Sequence, residues 1–414
     1  MEFDNVFPEA DEYLKIQCQC CASLSSINTM SSFNNKSEST LIFIPDISGY
    51  TKFVSTTEIH HARHILDELL ELLMDTNEIG MELSEIEGDA LLYYRKGKAP
   101  TVAEMLGQVQ KMYVHFHEYL KKFELHRICS CGACKTAHRL TIKFVAHYGE
   151  VAENKVKGRS VLFGKEVIVA HRLLKNEINS NAYGLFSRQL MEASETWKNL
   201  PQKAWSEVVE MEEEYDFGKA NYTYLELEPL LAKVPDPEPV DYSVPGATEK
   251  IIEVEQLVEA PLDMAFDVIS DYSFRHEYAD GLLDSDMLNH KITQNGSTHR
   301  CVIKRDESDP FFISHGYSFD EKEVTFAESS QKNNLTTVYR LTAVGPNRTR
   351  IQLTIFTKPN FFKLLLFNLF IKKKVVKSSI QTLFNFNGYC KKLIAENRQH
   401  PNQIVLPKEV VPVH

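Results

Sequence analysis

Between Val234 and Val240 every second residue is proline (Pro235, Pro237, Pro239), and Pro245-Gly246 follows shortly after. Proline fixes φ and removes a backbone donor, so such a run joins neither a helix nor the interior of a sheet and favours extended polyproline II. A chain carrying it must fold as separate units on either side. The total of 414 residues agrees, since domains run to roughly 100–200 residues each. The expected division is an N-terminal arm over 1–39, a first domain over 40–228, a linker over 229–248, a second domain over 249–397 and a tail over 398–414. The arm is expected to be mobile because it is polar, rich in Ser and Asn toward its end, and shows no period.

Charged residues make up 25% and hydrophobic ones 43%, the balance of an ordinary soluble chain. With 46 basic against 57 acidic residues the net charge is −11, which repels phosphate backbones and argues against nucleic-acid binding. Met1 to Asp11 carries acids and no apolar run, so no secretory leader is expected and the cytoplasm is the expected compartment. The longest apolar run, Phe361 to Ile371, has eleven residues, against the roughly 20 needed to cross a bilayer. Its apolar residues are almost continuous rather than striped, which predicts a core helix and no membrane contact, although the lysines Lys372, Lys373 and Lys374 after it would also suit an interfacial helix.

Local patterns predict the elements. Leu41 to Ile44 is a buried strand stopped by Pro45, and Glu58 to Asp75 repeats apolar residues at helical spacing. Met81–Glu87 and Ala90–Tyr94 flank Gly88-Asp89 as a hairpin. A helix over about Val102–Phe123, a strand over Leu140–Val151 and a helix from Gly164 to Ile178 follow. This order describes an α+β domain with an antiparallel sheet covered by helices. After the linker, strands are expected over Lys250–Val258, His299–Arg305, Phe311–Asp320, Leu335–Val344 and Thr349–Thr357, with helices at Pro261–Asp271 and Asn360–Asn397.

Asp46 directly follows the first strand, and Asp89 sits at the hairpin tip. Carboxylates at neighbouring strand ends are a common way to hold divalent cations on a phosphate chain, although each alone more often caps a turn. Their surroundings add to this. Asp46-Ile47-Ser48-Gly49-Tyr50-Thr51 resembles the opening motif of class III adenylyl and guanylyl cyclases, and Glu87-Gly88-Asp89-Ala90, His147-Tyr148-Gly149-Glu150 and Leu162-Phe163-Gly164 with Val167, Ala170 and Arg172 resemble the later motifs in family order. The resemblance covers about residues 40–228 and implies a ferredoxin-like cyclase domain. It implies that Asp46 and Asp89 hold two Mg²⁺ or Mn²⁺ ions, that Ile47, Ser48, Gly49, Tyr50 and Thr51 approach a nucleoside triphosphate, and that Glu85 meets the base. It further implies a homodimer in which Arg172 of one copy stabilises the phosphoryl group held by the other.

Two positions depart from the family. Ile168 stands four residues before Arg172, where the family carries the ribose-orienting Asn, and Val161 replaces a polar base-reading residue. Nucleotide and metal binding are therefore expected more strongly than fast cyclisation, and a catalytically reduced, sensor-like module is the alternative. Residues 249–397 resemble, in layout alone, a START-like (polyketide-cyclase-like) helix-grip domain, which implies a hydrophobic small molecule or lipid in an apolar cavity.

Of eight cysteines, six form two groups, Cys18, Cys20, Cys21 and Cys129, Cys131, Cys134. Thiolates at the spacing of the second group can meet one zinc ion, with His126, His138 or the first group supplying a fourth ligand; reduced thiols in a surface loop are the other reading. His60, His61, His64, His115 and His117 are expected to be solvated or capping residues.

Overall fold

The computed structural model describes residues 37–56, 59–129, 131–156, 159–216, 218–303, 309–396 and 398. Before the proline run the strands are β1 (Glu38–Ser48), β2 (Glu82–Glu87), β3 (Ala90–Lys96), β4 (Thr141–Val156), β5 (Arg159–Phe163), β6 (Tyr183–Ser187), β7 (Val209–Tyr215) and β8 (Gly218–Glu226). The helices are α1 (Tyr50–Thr56), α2 (Ile59–Asp75), α3 (Val102–His126), α4 (Gly132–Thr136), α5 (Lys165–Leu173), α6 (Arg188–Glu192) and α7 (Leu200–Lys203). The sheet runs β2-β3-β1-β4-β6-β8-β7, with β5 paired to β4.

The apolar run of β1 is buried on both faces. Leu41 and Phe43 join the core made with α2 and α3, while Ile42 and Ile44 pack with Ala170 of α5 on the opposite face. Alternation along a strand sends neighbouring side chains to opposite faces, so an unbroken apolar run marks a sheet covered twice. Helix α3 begins on a capping box, in which the Thr101 side chain accepts from the Glu104 amide and the Glu104 carboxylate accepts from the Thr101 amide.

The sheet departs from the all-antiparallel expectation at one place, because β4 and β6 pair in parallel through the α5 crossover. Helix α5 also stops at Leu173 rather than Ile178, since the Asn176 side-chain amide donates to the Leu173 carbonyl and ends the turn.

After the proline run come β9 (Glu249–Val258), α8 (Leu262–Ser270), β10 (Asp284–Met287), β11 (Thr298–Val302), β12 (Phe311–Phe319), β13 (Glu323–Ser330), β14 (Leu335–Gly345) and β15 (Arg348–Thr357). Helices α9 (Phe361–Leu366) and α10 (Lys372–Ala395) follow. The sheet, ordered β10-β11-β12-β13-β14-β15-β9, is antiparallel throughout. Leu383, Phe386, Cys390 and Leu393 of α10 pack on Ile252 and Val254 of β9, Leu353 of β15 and Ile269 of α8. Fully burying a side chain such as Phe386 contributes about 1.5–3 kcal/mol.

The expected single terminal helix is broken by a π-helical turn at Phe367–Ile371. The apolar run is also not core: Phe361, Phe362 and Phe370 are each about three-quarters exposed. Hydrophobicity alone does not say what covers a residue; of this run, Leu364 and Phe367 pack against the core of the second half while the other large side chains face outward.

Among the described residues, the halves touch where α2 and the end of α3 meet residues 291–295. The Lys291 amide donates to Glu68 of α2 (2.7 Å) and its ammonium pairs with Glu71 (2.6 Å). Arg127, just after α3, forms a β-bridge with Gln294, and the Asn295 amide donates to the His126 carbonyl at 2.8 Å. The start of the proline run is held too, because Lys121 donates to the Val234 carbonyl and pairs with Asp236.

Candidate functional site

Asp46 sits in β1 opposite Ala90 on one side and Lys143 on the other. Asp89 occupies the turn of the β2–β3 hairpin, and the Ile47 amide donates to its carbonyl at 3.0 Å. That register brings the two aspartates together. Burial raises the Asp46 carboxyl above its ordinary value, and Lys143 only partly offsets this. Burial, then the neighbouring Asp46 charge, raises Asp89 in the same direction. Two half-buried neighbouring carboxyls that resist ionisation become easier to ionise when a divalent cation binds between them.

Ile47 and Ser48 are buried, and the Ser48 hydroxyl has no hydrogen-bond partner among the described residues. Gly49 turns the chain from β1 into α1 at φ +89°, a left-handed conformation that favours glycine. Tyr50 and Thr51 open α1. Glu85 is exposed on β2, beside a bulge in its pairing with β3. The two half-buried carboxylates are the oxygen donors that a hard divalent cation takes.

Sequence reasoning missed Lys143, whose ammonium lies 3.4 Å from Asp46 Oδ1. Its partner lies 97 positions away and is set only by the β1–β4 register.

The His147 strand motif has a local explanation. His147 is fully buried, with Nε2 2.7 Å from Glu166 Oε2 and Nδ1 2.9 Å from Ser187 Oγ. Donation to the carboxylate puts the proton on Nε2 and leaves Nδ1 to accept from the serine. Burial holds the imidazole below its ordinary pKa despite Glu166. A side chain at Gly149 would meet Glu166 Cγ at 2.6 Å. The histidine and glycine thus seat Glu166 and fix α5 on β4.

Arg172 is not at the aspartates; it pairs with Asp216 of the β7–β8 turn at 2.8 Å. Its neighbour His171 lies 3.5 Å from Glu87, which sets α5 over the hairpin. Ile168 is 57% and Phe163 65% exposed. Val161 pairs with Asn154 in the β4–β5 ribbon.

A second constellation lies at the junction. Cys129, Cys131 and Cys134 converge on His61 of α2, whose Nδ1 is 3.4, 3.3 and 3.5 Å from their respective sulfurs. This corrects the expectation that His61 is a solvated or capping residue, because packing of α2 on α4 carries it into the cysteine loop. His126 instead meets Asn295, and His138 lies 3.8 Å from Glu124. Cys18, Cys20 and Cys21 lie outside the described residues.

Residues 66–183 match a family model described as "Protein of unknown function (DUF2652)". The match takes in Asp89, the three cysteines and Arg172, while Asp46 and His61 precede it. An uncharacterized protein of Mycobacterium tuberculosis (strain H37Rv) is 39% identical over 118 residues, 28% of this chain. The matched segment spans about half, 54%, of that relative's length. Among solved structures, the catalytic core of a rhodopsin-guanylyl cyclase with converted specificity, in complex with ATPαS, is 17% identical, covering 46% of this chain and 96% of that one at a TM-score of 0.34. The Zhui aromatase/cyclase of Streptomyces sp. R1128 is 13% identical, covering 34% and 94% at a TM-score of 0.26.

Proposed function

We propose that the first half of the chain binds a nucleoside triphosphate through divalent metal held by Asp46 and Asp89, and that two copies together form a slow nucleotidyl cyclase site. The observation that carries this is the register that pairs Asp46 of β1 opposite Ala90, the residue after Asp89, and so brings the two half-buried carboxyls near each other. Mg²⁺ or Mn²⁺ would supply the charge that clamps a triphosphate and activates an oxygen nucleophile. Arg172 is held by Asp216 within one copy; in the dimer it would exchange that partner for the phosphoryl group on the other copy. The exposed Ile86, Phe163 and Ile168 form the apolar part of the contact.

Lys143 favours a second reading, in which the module binds nucleotide as a sensor with little turnover. A cation already beside Asp46 supplies part of the charge that a metal would bring. The second half offers a cavity of about 210 Å³ between its sheet and α10, lined by Ile269, Leu353, Val375 and Phe386 with Arg275 at its polar edge. It suits a small, mainly apolar ligand, since the Arg275 charge is already taken up by Glu328.

Titration of the protein with a fluorescent nucleoside triphosphate and Mn²⁺ tests the site. Asp46→Asn and Asp89→Asn are each expected to weaken Mn²⁺-dependent binding by tenfold or more, because each removes an anionic ligand. Isotherms unchanged in both variants would remove the metal assignment.

A further inference from the structure

We infer that His61, Cys129, Cys131 and Cys134 bind one zinc ion, and that this ion ties together the elements on which the two halves of the chain meet. Three sulfurs lie within 3.5 Å of a single ring nitrogen, and the four candidate ligand atoms all lie within 4.8 Å of one another. An imidazole nitrogen has one proton or one lone pair to share, so hydrogen bonding alone does not call for three sulfurs at once. A tetrahedral ion does. With Zn–S near 2.3 Å and Zn–N near 2.0–2.1 Å, ligand atoms around one zinc stand about 3.5 Å (N to S) and about 3.8 Å (S to S) apart.

The loop is already shaped for thiolates. The Cys131 amide points at Cys129 Sγ and the Cys134 amide at Cys131 Sγ, each at 3.4 Å. Such donors stabilise anionic sulfur. Cys134 is fully buried, and the three cysteines are free of disulfides. Four protein ligands close the coordination sphere, which marks a structural rather than a catalytic ion. Binding releases the thiol protons.

The ligands come from α2, from the loop after α3 and from α4, and α2 with the end of α3 and Arg127 also holds Lys291, Gln294 and Asn295 of the second half. The ion therefore fixes the platform on which the second half rests.

Elemental analysis of the full chain purified without added metal is expected to find about one zinc per chain. Cobalt loaded in its place should give the visible bands of a tetrahedral site and a thiolate charge-transfer band. Cys131→Ser and His61→Ala should each lose most of the metal, and His61→Cys, which restores a soft ligand, should retain it with shifted cobalt bands. Chelation should increase proteolysis within 288–296. A metal-free wild type, or a His61→Ala variant with stoichiometry and cobalt spectrum unchanged, would overturn the assignment.

A separate observation concerns the end of the second half. We propose that Phe361–Lys377 docks on an anionic lipid surface. Phe361, Phe362, Leu365, Leu366, Leu369 and Phe370 are all exposed within one ten-residue stretch, and exposed apolar residues concentrated in this way mark an interaction surface. Lys363, Lys372, Lys373, Lys374 and Lys377 are exposed around it, and the segment contains no acid. In a chain of net charge −11 that local positive charge selects an anionic partner, and apolar rings beside lysines match the headgroup boundary. No described helix is long and apolar enough to cross the membrane, so the contact is peripheral.

Co-sedimentation with phosphatidylcholine vesicles containing or lacking phosphatidylserine tests this. Binding is expected only with the anionic lipid and should weaken with salt. Phe361→Ser/Phe362→Ser/Phe370→Ser should abolish it, and Lys372→Glu/Lys374→Glu should weaken it about tenfold or more. Absence of wild-type binding, or a dimer that the triple serine variant converts to monomer, would overturn the lipid assignment, the latter in favour of a second copy.

Discussion

Arg275→Met is expected to destabilise the second half by about 3–5 kcal/mol, the usual cost of leaving a buried charge without its partner. Arg275 and Glu328 are both buried, and the Arg275 guanidinium donates to both carboxylate oxygens, one of the bonds being 2.7 Å. The guanidinium also lies 4.5 Å over the Tyr272 ring. Burial works to raise the Glu328 carboxyl, but the guanidinium overcomes this and holds it below its ordinary value. Without Arg275 that carboxyl rises above its unfolded value near 4.3. The unfolded chain then gives up the proton more readily than the folded one, so the variant's deficit grows as pH rises through that value and shrinks toward pH 4. Urea unfolding of both proteins at pH 4.5 and 7.5 measures this. Arg275→Met/Glu328→Leu should recover much of the loss, since replacing both charges by apolar groups is often neutral. A single variant as stable as the wild type would show that water reaches Glu328.

Ile168→Asn is expected to raise nucleotide cyclisation by tens of fold, within the roughly 3 kcal/mol that a positioned hydrogen-bond donor contributes to a transition state. Ile168 is exposed on α5, one turn before Arg172, so the substitution leaves the core intact and a change in rate does not reflect misfolding. An amide there restores a donor and an acceptor beside the ribose in the proposed dimer. GTP should gain most, because Glu85 can accept from the guanine ring N–H and amino group, whereas adenine presents no matching pair. Cyclic nucleotide formed by wild type and variant with Mn²⁺ and each triphosphate is the measurement. A variant that binds metal and nucleotide yet stays inert would return the module to the sensor reading.

Local pattern alone determined a good part of this protein. The Leu41–Ile44 run, the Gly88-Asp89 turn and the helical periods of α2 and α3 depend on neighbours within a few residues, and those elements stand close to where the pattern sets them, except that Pro45 does not stop the first strand: β1 runs on to Ser48, paired with β4 throughout. The short β10 and the polar, acidic β7 carry little hydrophobic alternation and were not legible. Asp46 was visible as a residue expected just past a strand and Asp89 as a hairpin tip, but that Asp46 lies inside β1 and that both carboxyls sit near Lys143 follow from cross-strand register. The same holds for Glu166 under His147 and for Arg275 against Glu328, whose partners lie 19 and 53 positions apart. His61 is the clearest case. A lone histidine in an amphipathic helix has no signature of its own, and only the packing of α2 against α4 carries it to cysteines 68 to 73 residues away. Tertiary structure also decided the fate of Phe361–Ile371, because hydropathy states what a segment avoids, while the packing of the rest of the chain settles whether anything covers it.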